Sequence, residues 1–87
     1  MFVILVYDIN EKRVAKVLKI AREYLTWIQN SVFEGEISEA SFKILKDKIK
    51  KKINPKEDSV IFYTLKSKKY AKKEILGQEK GGQKLFI

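Results

Sequence analysis

The sequence predicts an α+β domain, one layer of helix on one layer of sheet. Three observations carry this. Two unbroken apolar runs, Phe2-Val3-Ile4-Leu5-Val6-Tyr7 and Val60-Ile61-Phe62-Tyr63-Thr64-Leu65, read as strands buried on both faces and so central in their sheet. Two stretches between them repeat apolar residues at helical spacing. And 87 residues make one domain, which at this size buries only roughly 60 to 65% of its unfolded surface. One sheet with one helical layer is about what such a chain can build, and association with a second copy would add to its stability.

The first strand is expected over Phe2 to Asp8 and ends abruptly in a carboxylate. Asn10 then caps a helix of about Glu11 to Tyr24, with Val14, Val17, Leu18, Ala21 and Leu25 on its apolar face. Thr26 to Ile37 is rich in aromatic and β-branched residues and is therefore extended, with Gln29-Asn30-Ser31 as turn-capable residues inside it. It is one long bent strand or two short ones. Ser38 caps a second helix whose stripe is Phe42, Leu45, Ile49 and Ile53, and Asn54-Pro55 stops it. After the Ser59–Leu65 strand, Lys66 to Lys69 is a basic turn and Lys73-Glu74-Ile75-Leu76 a short strand ended by Gly77. Gly81-Gly82 is a hinge, followed by a β-prone apolar tail, Gln83 to Ile87. The order matches a ferredoxin-like αβ sandwich, βαββαβ, with an extra short C-terminal strand. Residues 1–77 form the domain, and 78–87 a tail whose β-prone apolar segment wants a partner.

Composition excludes much chemistry. With no cysteine there is no disulfide, thiolate nucleophile or zinc–sulfur site, which is compatible with a cytoplasmic protein. With no histidine there is no imidazole triad and no customary neutral-pH base. No apolar run approaches the ~20 residues of a membrane span, and no basic region precedes the first run as in a signal peptide. Catalysis, if any, must use carboxylates, hydroxyls, lysines or a bound metal. The charge is lopsided: residues 1–42 carry a net −1 and residues 43–87 a net +9. Such a half suits either the sequence-independent field of a phosphate backbone or a plain solvated lysine surface. Lys43, Lys46 and Lys50 follow a 3–4 spacing on the second helix, and Lys66, Lys68 and Lys69 cluster in the basic turn. Because almost all are lysine, a point charge without a bidentate fork, they point to DNA or RNA backbone contact rather than base reading.

Asp8 has two readings. It turns the chain into the helix by bonding N–H groups near Asn10, or it ligates Mg²⁺, which takes hard oxygen donors and often only one or two carboxylates. A symmetric dimer would double one Asp per chain. Glu34 and Glu36 share a strand face and are either further oxygen donors or a solvated edge. Val32 and Phe33 must face opposite sides, one in the core and one at a surface or interface. Ser31 has no histidine to activate it as a nucleophile. Walker, GxGxxG and RNP signatures are missing.

Val6-Tyr7-Asp8-Ile9, Arg13-Val14, Gln29-Asn30-Ser31-Val32-Phe33-Glu34-Gly35-Glu36 and Asp58-Ser59-Val60-Ile61-Phe62-Tyr63, in this order and spacing, resemble the CRISPR-associated Cas-two family. The specific part is the Gln29–Glu36 block. The resemblance implies a ferredoxin-like homodimer that works with the Cas-one integrase in spacer acquisition. It implies a metal-dependent endonuclease on single-stranded RNA or double-stranded DNA, a DNA-binding scaffold for the integrase, or both. By the same resemblance Asp8 is the Mg²⁺ ligand shared across the dimer, Arg13 and Phe33 are linked to activity, and Gln83–Ile87 pairs with a partner. A non-catalytic scaffold and a toxin-type ribonuclease of the same fold are the alternatives. Trp27 stands where many members carry a basic residue, a departure that weakens the nuclease reading and leaves fold and scaffold untouched.

Overall fold

A computed structural model describes residues 1–67 and 70–79. Its elements are β1 (Phe2–Asp8), α1 (Glu11–Tyr24), β2 (Thr26–Gln29), β3 (Val32–Glu36), α2 (Glu39–Lys50), β4 (Ser59–Ser67) and β5 (Tyr70–Gly77). The sheet is antiparallel in the order β2-β3-β1-β4-β5. This is the expected ferredoxin-like arrangement with a fifth strand added beside β4. Lys68, Lys69, the Gly81-Gly82 hinge and the Gln83–Ile87 tail lie outside the described residues.

Local chemistry sets each boundary. The Asn10 side chain accepts from Lys12 N–H at 2.9 Å and opens α1; the Ser38 hydroxyl accepts from Ser41 N–H at 3.0 Å and opens α2. The extended segment resolves into two strands because Asn30 takes a positive φ of 43°, which its short polar side chain tolerates and a β-branched residue would not. The Trp27 indole N–H donates to the Asn30 carbonyl at 2.9 Å and closes this hairpin. α2 ends at Lys50, one turn before Ile53. β5 is longer than expected, eight residues from Tyr70, because pairing along β4 outweighs the weak strand preference of its lysines.

Side chains alternate across the sheet. Val3, Leu5, Phe33, Val60 and Phe62 face the helices and are buried with Val17, Ala21, Phe42, Leu45 and Ile49. The Phe42 and Phe62 rings meet edge-on at 5.2 Å between centroids and tie α2 to β4. The other face carries Phe2, Ile4 and Val6 of β1, Val32 of β3, Ile61, Tyr63 and Leu65 of β4 and Ile75 of β5. Here the expectation of a first strand buried on both faces fails within one chain. Phe2, Ile4 and Val6 are only half-buried, because the two helices pack on the opposite face; on their own face Ser59 and Ile61 of β4 are buried.

Candidate functional site

The site is built on the last rung of β1. Asp8 pairs with Ser59 of β4, and Ser59 pairs with Gly77 of β5. Asp8 is exposed, at the end of the apolar face turned away from the helices. Paired residues share a face, with Cα atoms about 4.5–5.5 Å apart, so Ser59 directs its hydroxyl to the side that carries Asp8. Ser59 Oγ is buried and has no hydrogen-bond partner among the described residues. Gly77 has φ +87°, and a Cβ there would overlap the Asp58 carbonyl. Only glycine fits this end of the rung.

A buried ion pair supports the rung from behind. The Asp58 carboxylate is fully enclosed and accepts from Arg13 Nε at 2.6 Å and Nη2 at 2.9 Å, from Asn10 N–H at 3.0 Å and from Asn54 N–H at 2.7 Å. Arg13 also donates to Glu57 at 2.8 Å. The fork-to-carboxylate geometry matches what buried acids require. The Arg13 guanidinium holds the Asp58 carboxyl well below the usual carboxylate range against the opposing effect of burial, and the two backbone N–H groups add to it. In turn Asp58, then Glu57, raises Arg13 above its ordinary value. This network joins the β1–α1 turn that follows Asp8 to the loop that precedes Ser59.

Arg13 therefore lies near the end of β1, as expected, but its Nε and Nη2 are engaged by carboxylates. Phe33 is wholly enclosed opposite Leu5, its ring 6.1 Å from that of Tyr7. It is the core member of the Val32–Phe33 pair, and its place is in the packing beneath β1 rather than at a surface. Glu34 pairs with Ile4 and Glu36 with Phe2, towards the opposite end of β1 from Asp8. Trp27 is half-exposed on edge strand β2. Among the described residues no three acidic side chains converge as a metal cage. One chain thus offers one carboxylate at the rung, a hard oxygen donor of the kind a hydrated divalent cation takes, and no enclosed site among the described residues.

The lysines gather elsewhere. Lys43 and Lys46 of α2, Lys66 of β4 and Lys72 and Lys73 of β5 line an open groove of about 450 Å³ beside Met1 and Thr64. Thr64 pairs with Val3, so the groove is at the far end of β1, on the order of 20 Å from Asp8 at ~3.3 Å per residue. Three of these cations are occupied: Lys46 Nζ is 3.0 Å from Glu74 and 4.4 Å from the centre of the Phe42 ring, Lys66 Nζ is 2.8 Å from Glu39, and Lys73 Nζ is 2.9 Å from Glu79. Lys50 is exposed on α2 outside the groove lining. Asp8 and the basic groove are two places, not one. Asp58 and Ser59 are the participants that a reading of the sequence leaves without a task. Their only sequence signal is the Asp-Ser-Val run itself, since Arg13 is 45 residues away from Asp58.

Comparison with known proteins gives a consistent result. The family described as CRISPR associated protein Cas2 matches residues 1–73. A protein of Dictyoglomus turgidum named CRISPR-associated endoribonuclease Cas2 is 59% identical over 87 residues, covering 100% of both chains. A protein of the same name from Thermotoga maritima is 58% identical, covering 93% of each. A crystal structure of cas2 superposes with TM-score 0.74 at 39% identity, covering 100% of this chain and 98% of that one.

Proposed function

From the premise that this chain belongs to the CRISPR associated protein Cas2 family, we propose that it is a divalent-metal-dependent endonuclease of nucleic acid that works as a homodimer. The observation that carries the reading is the placement of Asp8: an exposed carboxylate at the end of the apolar sheet face turned away from the helices, where Phe2, Ile4 and Val6 are half-buried. Burying Phe2, Ile4, Val6 and Val32 against a second copy would remove their half-exposed surface from water. The dimer axis would then bring two Asp8 side chains to one place.

In this reading Asp8 and its symmetry mate hold Mg²⁺, whose chemistry is to polarise a phosphate and lower the pKa of bound water. The chain's own residues do the rest. Asp8 supplies hard oxygen, the Asp58–Arg13 pair fixes the turn that follows it, and the apolar face, once a second copy covers it, excludes water beneath it. Purified Asp8→Asn should lose cleavage of single-stranded RNA and of duplex DNA by at least 100-fold with its circular dichroism unchanged. Cleavage undiminished in that variant would refute the reading.

A second reading, a DNA-binding scaffold for the Cas-one integrase, is favoured by one observation. The lysine groove is remote from Asp8, so phosphate binding there needs no cutting centre. Lys43, Lys46 and Lys66 belong to this groove, with Lys50 next to it on the same helix.

A further inference from the structure

Ser59 is the one residue of the Asp8 rung whose polar group is left over. Its Oγ is buried and unpartnered among the described residues. A buried hydroxyl without a partner carries a desolvation cost, and native structures rarely retain one without a use for it. The strand supplies no reason for serine here. Ser59 sits at the head of β4 between Asp58 and Val60, where alanine would fit the same volume. What distinguishes the position is its cross-strand neighbour, Asp8.

We propose that Ser59 is a positioning residue for Asp8, its Oγ–H donating to the Asp8 carboxylate oxygen that a bound divalent cation leaves over. This rests on the reading of Asp8 as a cation ligand. A ligating carboxylate has two oxygens, and one taken by a cation leaves the other to be fixed by a neighbour; such supporting hydrogen bonds commonly govern affinity by 10- to 100-fold. The rung is well suited to this. β4 is paired on both sides, and the Asp58 network holds the loop that precedes Ser59. The hydroxyl is thus carried on a fixed backbone and needs only a rotation about Cα–Cβ to reach across the pair. Among the described residues the hydroxyl has no partner, and its unmet hydrogen bond is part of what cation binding would recover.

Two readouts on the full chain test this, both independent of cleavage. The first is Mn²⁺ affinity by electron paramagnetic resonance or Mg²⁺ affinity by calorimetry, for wild type, Asp8→Asn and Ser59→Ala. The second is thermal stability without metal. Ser59→Ala should bind Mn²⁺ about 10-fold more weakly than wild type, yet be as stable or more stable when metal-free, because it removes an orphaned polar atom. Wild-type affinity in Ser59→Ala would overturn the proposal while leaving Asp8 as ligand. A metal-free Ser59→Ala less stable than wild type would also overturn it, since the hydroxyl would then have a structural partner already. Equal binding by wild type and Asp8→Asn would instead refute the cation reading itself.

Discussion

At the scale of single residues, Asp58 shows how a side chain becomes indispensable without approaching any ligand. Its carboxylate takes four hydrogen bonds in an enclosed pocket, so losing its charge leaves Arg13 with only the exposed Glu57 as counterion and two N–H groups poorly matched. Breaking such a pair costs about 3 kcal/mol, the lower end of the usual range because Arg13 keeps an edge at solvent. The pH dependence follows from the sign of the shift. The folded-state carboxyl lies below the ordinary unfolded value, so its contribution is fully present above the unfolded pKa of about 4 and is lost as pH falls towards the folded one. Urea midpoints measured from pH 7 to pH 2 should therefore drop below about pH 4 in wild type. In Asp58→Asn they should start lower at pH 7 and fall less over the acid range. None of this was legible in the sequence. The Asp-Ser-Val run marks a strand start, but a carboxylate's partner 45 positions away leaves no local trace. Asp8 was legible as a candidate because its position, the end of an apolar run, is itself a local pattern.

Among the elements, both helices announced themselves, through Asn10 and Ser38 as caps and through stripes that the structure buries as Val17, Ala21, Phe42, Leu45 and Ile49. The boundaries were less readable where tertiary pairing decides. β5 gains its length from β4 rather than from its own lysine-rich sequence, and the β2–β3 break depends on one positive φ at Asn30. The lysine spacing on α2 was correct as a helical face, yet only Lys43 and Lys46 of the three reach the groove with β4 and β5. This gives a prediction at the element's own scale. If the groove holds a phosphate backbone, the combined change Lys43→Glu and Lys72→Glu should lower duplex affinity and flatten its dependence on salt, by about 0.9 in slope for each phosphate no longer neutralised. Filter binding at a series of salt concentrations checks it. The same change should leave Mn²⁺ affinity untouched, because the groove and Asp8 are at opposite ends of β1.

For the molecule as a whole, the two solid apolar runs were read correctly as the interior strands, but such a run says only that both faces want cover. It does not say what provides it. The helices account for one face, and Phe2, Ile4, Val6 and Val32 stay half-exposed on the other. The proposed homodimer resolves that imbalance. Sedimentation of wild type at micromolar concentration should give the mass of two chains, and Ile4→Lys, which places a charge in the middle of that face, should give the mass of one with its far-ultraviolet dichroism preserved. A single-chain mass for wild type would remove the basis for a shared Asp8 site.

The strand order has a further consequence, for how the molecule is made. β1 lies between β3 and β4, and its second neighbour is not complete until Ser67. During synthesis β1 therefore appears before either of its neighbours, and β4 only after α1, β2, β3 and α2. Until then β1 has at least one bare edge and no complete sheet around it. Pairings between distant stretches form slowly, and exposed apolar strands are where nascent chains aggregate. The charged, helix-forming stretch from Glu11 to Tyr24 follows at once. Its apolar stripe is the first complementary surface made after that strand, and in the finished fold Val17 and Ala21 lie in one buried cluster with Val3 and Leu5.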